Sequence, residues 1–443
     1  MTDVPLRLAE WQALTPTSGS PTAGVGLGDD PSVRDLARRL SESGMLEVVE
    51  LRTGLSVKST SFVGRVRLGA IDITVVPKLR LEALLTLLRH AYGLRDLHLL
   101  PATTHITQAL GLQDILVWQL VEEVHELLSR GLRRAYLRRE ESLSSPRGRI
   151  NFQQMSGRGS LIEATLPCVH HRRDQDRLIN RVILAGLSLA ASVTSDRGLK
   201  ARARGLADLL GETVGSIRLD SQVFRRLDGE MDRMTRHYEP AVSLIRILHQ
   251  AGGLSLGRGE DGPSLPGFLF DMNRFFQALL TRYLADNLPD YKLHSEYRLK
   301  GMLAYVAGWN PLRKQAPAPR PDFMVMRGTQ TVAILDAKYR DLWENSLPRD
   351  MLYQLAIYAM SYEGGTATIL YPTTHAQATE ARIEVREPMH GARRAVVVIR
   401  PVDLGTLERV LTSKPTAATL RERRDYAHHL VFGGDSPVRT AHS

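Results

Sequence analysis

Apolar positions along this chain recur with two different periods, and the switches between them mark out its elements. Residues 6–14 read as a short strand, and 15–29, rich in Thr, Ser, Gly and Pro, as a flexible loop. Asp30-Pro31 then supplies an N-cap and a first-turn proline. They launch a helix over 32–43 with Val33, Leu36 and Leu40 on its buried face, stopped by Gly44. Between 45 and 78 apolar and polar residues alternate in MLEVVELR, SFVGRVRLG and AIDITVVPK, separated at Thr53-Gly54 and Gly69, which predicts a small antiparallel sheet. From Leu81 the period becomes helical, in LEALLTLLRHAYGL, in 115–137, in 173–192 and in 197–211, and it stays so through His249. Residues 251–266, AGGLSLGRGEDGPSLP, read as a Gly-rich linker.

Beyond the linker, 270–287 (FDMNRFFQALLTRYLADN) reads as a helix. A β-hairpin comes next in RPDFMVMRGTQTVAILDAKY, residues 320–339: β-prone FMVM, a turn at Arg327-Gly328-Thr329-Gln330, then an apolar run that ends in Asp336-Ala337-Lys338. Side chains alternate along a strand, so Asp336 and Lys338 share one face while Ala337 takes the other; Asp322 opens the neighbouring strand. Residues 349–362 (RDMLYQLAIYAMSY) read as an amphipathic helix with Gln354 and Tyr358 four apart on one face. Residues 366–371 and 395–401 read as buried strands, 404–411 as a short helix, and 436–443 as a disordered polar tail.

Charges at the end of a greasy hairpin need a reason, because a buried strand loses several kcal/mol to an unpaired charge or titrates it away. The bland reading is that Asp322 and Asp336 end their strands, Lys338 is solvated, Tyr358 is a core ring and Gln354 faces water. The chemical reading is a hard divalent cation, Mg²⁺ or Mn²⁺, held by the two carboxylates, with Lys338 placed to steady a water or a phosphate. Asp, spacer, Asp-x-Lys is similar to the site of PD-(D/E)xK nucleases. Several branches of that superfamily carry a Gln-x-x-x-Tyr pair on the helix after the lysine strand. The order helix, strand, strand, strand, helix, strand fits their core if 270–287 is the opening helix.

Composition narrows the setting. The 443 residues allow two or three domains, and a formal net charge of +10 suits a polyanionic partner or only a basic surface. The single cysteine, Cys168, excludes an internal disulfide, suits a reducing cytosol and, even beside His170 and His171, makes no zinc site. No apolar run reaches bilayer length and the first residues lack a signal-peptide pattern, so a cytoplasmic protein is expected. Gly54 to Ser59 superficially matches a phosphate-binding loop, but Val57 stands where such a loop needs Gly, so no nucleotide is expected on this chain. Arg133, Arg134, Arg138 and Arg139 cluster at the end of the helix read over 115–137. With Arg147 and Arg149 in SPRGRI, and Arg320 ahead of Asp322, they are the candidate DNA contacts.

Several segments in order, FVGRVRLGAIDITVVPKL, PRGRINF, DRLINRVILAGL, FLFDMNRFFQALL, RPDFMV, ILDAKYR, QLAIYA and ILYP, resemble the McrC family. McrC is the nuclease subunit of McrBC-type modification-dependent restriction systems. The resemblance implies an N-terminal module docking on a McrB-like AAA+ GTPase ring, and a C-terminal endonuclease. The ring recognises modified DNA and hydrolyses GTP; this subunit stimulates that hydrolysis and cuts. It also implies Asp322 and Asp336 as metal ligands and Lys338 as the catalytic lysine, with Gln354 and Tyr358 auxiliary. The family often carries Glu where this chain has Gln277, so the site would hold ions more weakly, or Glu296 would contribute. Two other readings stay open: a stand-alone metal-dependent nuclease, with Lys58, Arg65 and Arg67 on a nucleic-acid-reading sheet, and a catalytically decayed scaffold of an AAA+ ring. The expected fold is a multidomain α+β and α/β chain. It comprises a β-rich module over 1–110, a helical middle region over 111–250, the linker over 251–266, a PD-(D/E)xK restriction-endonuclease-like α/β core over 267–412, and an extension over 413–443.

Overall fold

The computed structural model describes residues 4–95, 111–155, 165–252 and 267–434. Most of the expected linker (253–266) and the polar tail (436–443) lie outside the described residues. The chain is a mixture of helices and sheets in two compact units: Met1–Asp96 with Asp271–Ser443, and Leu97–Phe270. Among the described residues, no helix is long and apolar enough to cross a membrane.

The first unit begins with β1 (Val4–Ala9), β2 (Ala13–Leu14), α1 (Pro31–Glu42), β3 (Leu46–Leu51), β4 (Gly54–Ser59), β5 (Phe62–Leu68), β6 (Ile71–Val76) and α2 (Leu81–Tyr92). Asp30 caps α1 through its carboxylate, which accepts from Ser32 N at 2.8 Å, and Val33, Leu36 and Leu40 are buried. The single antiparallel sheet expected here is in fact divided. β3, β4 and β2 form one antiparallel sheet, while β1 runs parallel to β6, which pairs antiparallel with β5.

The second unit contains α3 (Leu112–Arg130), β7 (Ala135–Leu143), β8 (Arg149–Ile150), α4 (Phe152–Met155), β9 (Leu166–Asp174), α5 (Leu178–Val193), α6 (Arg197–Gly211), α7 (Ser221–Glu230) and α8 (Glu239–Gly252). α3, α5, α6 and α8 pack together around leucines, isoleucines and valines. The unit is less purely helical than its sequence period implies. The helix read over 115–137 stops at Arg130 because Gly131 turns the backbone out with φ 87°, a value that costs a β-carbon-bearing residue strain. The next element is β7, which pairs antiparallel with β9, and β9 takes in Arg173, read as helical.

The chain returns through β10 (Gly267–Asp271) to α9 (Met272–Asn287), β11 (Lys292–Ser295), β12 (Phe323–Arg327), β13 (Gln330–Ala337), α10 (Arg349–Ala359), β14 (Thr366–Thr373), β15 (Ala381–Arg386), β16 (Arg393–Asp403), α11 (Leu404–Thr412) and α12 (Ala417–Phe432). Six strands form one sheet in the order β11-β12-β13-β14-β16-β15, with β13, β14 and β16 parallel and the others antiparallel to their neighbours. α10 packs on β14 and β16, where Leu355, Tyr358 and Ala359 join Ile334, Ala367, Ile369, Ala395 and Val397 in one core. α9 packs against α2, α12, β11 and β13. This burial of both faces explains why the parallel strands read as continuous apolar runs.

Candidate active site

The site grows out of the β12–β13 hairpin. Gly328, at φ 61°, makes the turn, and antiparallel register sets Phe323 opposite Leu335. β13 is an inner strand, covered by α10 on one face and reached by α9. Ile334 belongs to the α10-side core, so strand alternation puts Asp336 and Lys338 on that side. Tyr339, on the other side, meets Phe276 of α9 edge-on at 6.0 Å.

Asp336 is 3% exposed, and its Oδ2 lies 3.4 Å from Lys338 Nζ. Asp322 precedes β12; its Oδ2 accepts from Ala337 N at 2.8 Å and its Oδ1 from Gln277 Nε2 at 3.1 Å. The fold therefore brings together Asp322, Asp336, Lys338 and Gln277. Gln277 acts there as a donor to Asp322. Burial, then the negative charge of Asp336, pushes Asp322 up to about 7 against the lowering effects of the Ala337 N–H and Lys338. For Lys338, burial favours the neutral amine, but the charges of Asp336 and Asp322 outweigh it and raise its pKa, so it stays an ammonium. Gln354 Nε2 donates to Tyr358 Oη at 2.6 Å. Tyr358 is buried, which raises its pKa, and it feels the charges of Asp336, Asp322 and Lys338, so the pair borders the same site.

Two carboxylates, with neither histidine nor thiol, are hard oxygen donors suited to Mg²⁺ or Mn²⁺. Burial raises Asp322 most and the charge of Asp336 adds to it; that added repulsion is what a bound cation would relieve. Glu296 is not part of the group: its N donates to Asp322 O at 2.9 Å, but its exposed carboxylate pairs with Arg320 at 3.1 Å.

A supporting frame around Tyr339 was not legible in the sequence. Tyr339 N donates to Asn273 Oδ1 at 3.2 Å, and Asn273 Nδ2 donates to Ser61 Oγ at 2.6 Å. Tyr339 Oη donates to Glu10 Oε1 at 3.4 Å, and Lys78 N reaches the same oxygen at 3.2 Å. Burial pushes Glu10 up to about 7 despite those two bonds. Asn273 stands in FDMNRFF, but nothing around Glu10 marked it. Nearby, Asp341, Glu344 and His375 gather ligand atoms within 4.8 Å of one another, and Lys78 Nζ at 3.2 Å from Glu344 already supplies a counter-charge.

The basic candidates separate. Arg133, Arg134, Arg138, Arg147 and Arg149 lie in the second unit and Arg320 in the first. None of these five arginines of the second unit ends a helix, contrary to the expectation for Arg133, Arg134, Arg138 and Arg139; Arg138 and Arg139 lie on β7, where Arg138 pairs with Glu140 at 2.6 Å, and Arg149 lies on β8. Arg133 is fixed by its backbone, donating from N to Tyr238 Oη at 2.7 Å and accepting at its carbonyl from Asn180 Nδ2 at 2.9 Å.

Residues 57–372 match the family model described as McrBC 5-methylcytosine restriction system component. In fold the chain is similar to one from the refined half-complex of the tetradecameric assembly of Thermococcus gammatolerans McrB AAA+ hexamers with bound McrC. The TM-score is 0.60 at 19% identity, covering 95% of this chain and 99% of that one. It is also similar, with a TM-score of 0.46 at 18% identity, to a chain of the Thermococcus gammatolerans McrBC complex, covering 64% of this chain and 88% of that one. Curated proteins give no match.

Proposed function

From the premise that this chain belongs to the McrBC 5-methylcytosine restriction system component family, we propose that it is the DNA-cutting subunit of such a system, with a PD-(D/E)xK-type nuclease core over 267–412. The observation that carries the reading is the buried Asp336, held 3.4 Å from the Lys338 ammonium and beside an Asp322 raised to about 7. An arrangement this costly gains nothing as packing, and strongly perturbed carboxylates concentrate at functional sites.

Asp322 and Asp336 would hold Mg²⁺ or Mn²⁺, which, when bound, makes water a competent nucleophile near neutral pH and polarises a phosphoryl oxygen. The chain's own residues do the rest. Gln277 and the Ala337 N–H fix the two oxygens of Asp322, so that its carboxylate is oriented before a ligand arrives. Lys338, with its side chain about one-third exposed, keeps a positive charge where the extra charge on a phosphate under attack would develop. Gln354 orients the Tyr358 hydroxyl beside the carboxylates, where it borders the backbone of bound DNA.

The chain binds no nucleotide in this account. It docks on a McrB-like AAA+ GTPase ring, stimulates GTP hydrolysis there, works in the cytoplasm and cuts modified DNA once assembled. Plasmid cleavage by the wild-type chain with Mg²⁺, the ring protein and GTP, each omitted in turn, tests this reading. Cutting is expected only when all three are present. Cutting by the chain and Mg²⁺ alone would make it a stand-alone nuclease. Stimulated GTP hydrolysis with no cutting would make it a scaffold.

A further inference from the structure

Between β11 and Asp322 the chain makes a long excursion that buries almost nothing. Trp309 is 79% exposed, Leu312 72% and Val306 71%, with Tyr305 and Tyr297 exposed beside them. Apolar surface of this kind marks a place of contact. The excursion nevertheless has a built shape. Glu296 N donates to Asp322 O, and Leu299 N to Pro319 O, both at 2.9 Å, closing its base. Near its far end Asn310 accepts from Lys314 N at 2.9 Å and donates to Lys314 O at 2.8 Å.

Its charge is one-sided. Residues 297–320 contain Arg298, Lys300, Arg313, Lys314 and Arg320 and no Asp or Glu. Arg320 is paired with Glu296, whereas the other four are exposed and have no ion pair among the described residues. Elsewhere on this unit exposed arginines such as Arg38, Arg386 and Arg409 each hold a carboxylate. Unpaired cations interleaved with exposed rings fit a polyanion that also offers flat faces for stacking. A protein surface of ordinary mixed charge would use the rings but would leave the four unpaired cations without a matching run of negative charge, which a phosphate backbone supplies.

We propose that residues 297–320 are a DNA-gripping arm, with Arg298, Lys300, Arg313 and Lys314 on phosphates and Trp309 against a base or sugar face. Because the base of the arm is hydrogen-bonded to Asp322, DNA held by it is delivered to the carboxylates. This deepens the nuclease reading and rests on it for its effect on cutting, while DNA binding tests the arm by itself.

The experiment compares the full wild-type chain with R313A/K314A and with W309A, all at exposed positions. It reads fluorescence anisotropy on a labelled DNA duplex with a single-stranded overhang, whose base faces are open to stacking, in EDTA over a salt series, then plasmid cleavage and GTP hydrolysis with the ring protein. R313A/K314A should weaken DNA binding and make the slope of log affinity against log salt shallower by about 2, roughly 0.9 for each lost phosphate contact. W309A should weaken binding by about tenfold with the slope unchanged. Both should raise the DNA concentration needed for half-maximal cutting and leave GTP hydrolysis intact. Arm-dependent binding by a wild type that never cuts would sink the nuclease reading and leave the arm standing. DNA affinity unchanged in both variants would overturn the arm, as would intact DNA binding with lost association to the ring.

Discussion

Gln277 occupies the position where a carboxylate would most change this site. It donates to Asp322 Oδ1 at 3.1 Å, so Gln277→Glu exchanges a donor for an anion next to two carboxylates. At that separation and an effective dielectric constant of about 20, two unit charges repel by about 5 kcal/mol. Protonation caps the cost, because Asp322 is already raised to about 7 and can take a proton and donate it to the new carboxylate. The net penalty in EDTA at pH 8 is then about 1.4 kcal/mol, the cost of protonating at pH 8 a carboxylate that titrates near 7. With a divalent cation the sign reverses: a third hard ligand should tighten Mg²⁺ binding by about tenfold, worth about 1.4 kcal/mol. Calorimetric Mg²⁺ titration and thermal melts with and without Mg²⁺ read both effects. The variant should melt lower than wild type in EDTA and gain more from Mg²⁺. A variant that melts higher in EDTA, or gains no more from Mg²⁺ than wild type, would refute the reasoning.

Two predictions concern stability. Glu10 rises by burial from an ordinary value of 4.5 to about 7, and a raised carboxylate contributes stability that is whole below 4.5 and lost as pH climbs through about 7. That loss is about 3 kcal/mol. Glu10→Gln keeps an oxygen for Lys78 N and Tyr339 Oη, so its denaturation midpoint should vary less than wild type's between pH 5 and 8, and parallel pH curves would contradict this. Asn180 is fully buried in the second unit, donating to the carbonyls of Arg133 and Gln175 and accepting from Tyr238 Oη. Asn180→Ala should cost about 2–4 kcal/mol in denaturant unfolding, because buried partners are left unmet; an unchanged midpoint would show that water replaces the amide freely.

Legibility in the sequence tracked locality. α1 and the β12–β13 hairpin were legible because each announces itself within a few residues, through Asp30-Pro31 in one case and β-prone apolar runs on either side of the Gly328 turn in the other. The grouping of Asp336 with Lys338 comes only from the alternation of side chains along a strand. β7 was not legible: the charged run Arg138 to Glu141 breaks its apolar face at the centre, and only Gly131 signalled that the preceding helix had ended. α12 was overlooked because its cap, a Thr416–Thr419 capping box, lacks the usual acidic partner. Contacts that span hundreds of residues leave no local trace. Glu10, just past β1, on Tyr339 and Ser61, between β4 and β5, on Asn273 tie the start of the chain to the segment just past β13 that carries Lys338.

The central claim is that Asp322, Asp336 and Lys338 cut DNA. Its most direct test is plasmid cleavage by Asp336→Ala and Lys338→Ala beside wild type, with Mg²⁺, the ring protein and GTP, while stimulated GTP hydrolysis in the same tubes reports folding and docking. Both variants should lose cutting by at least about a hundredfold and keep the stimulation. Cutting at the wild-type rate by either variant would contradict the account.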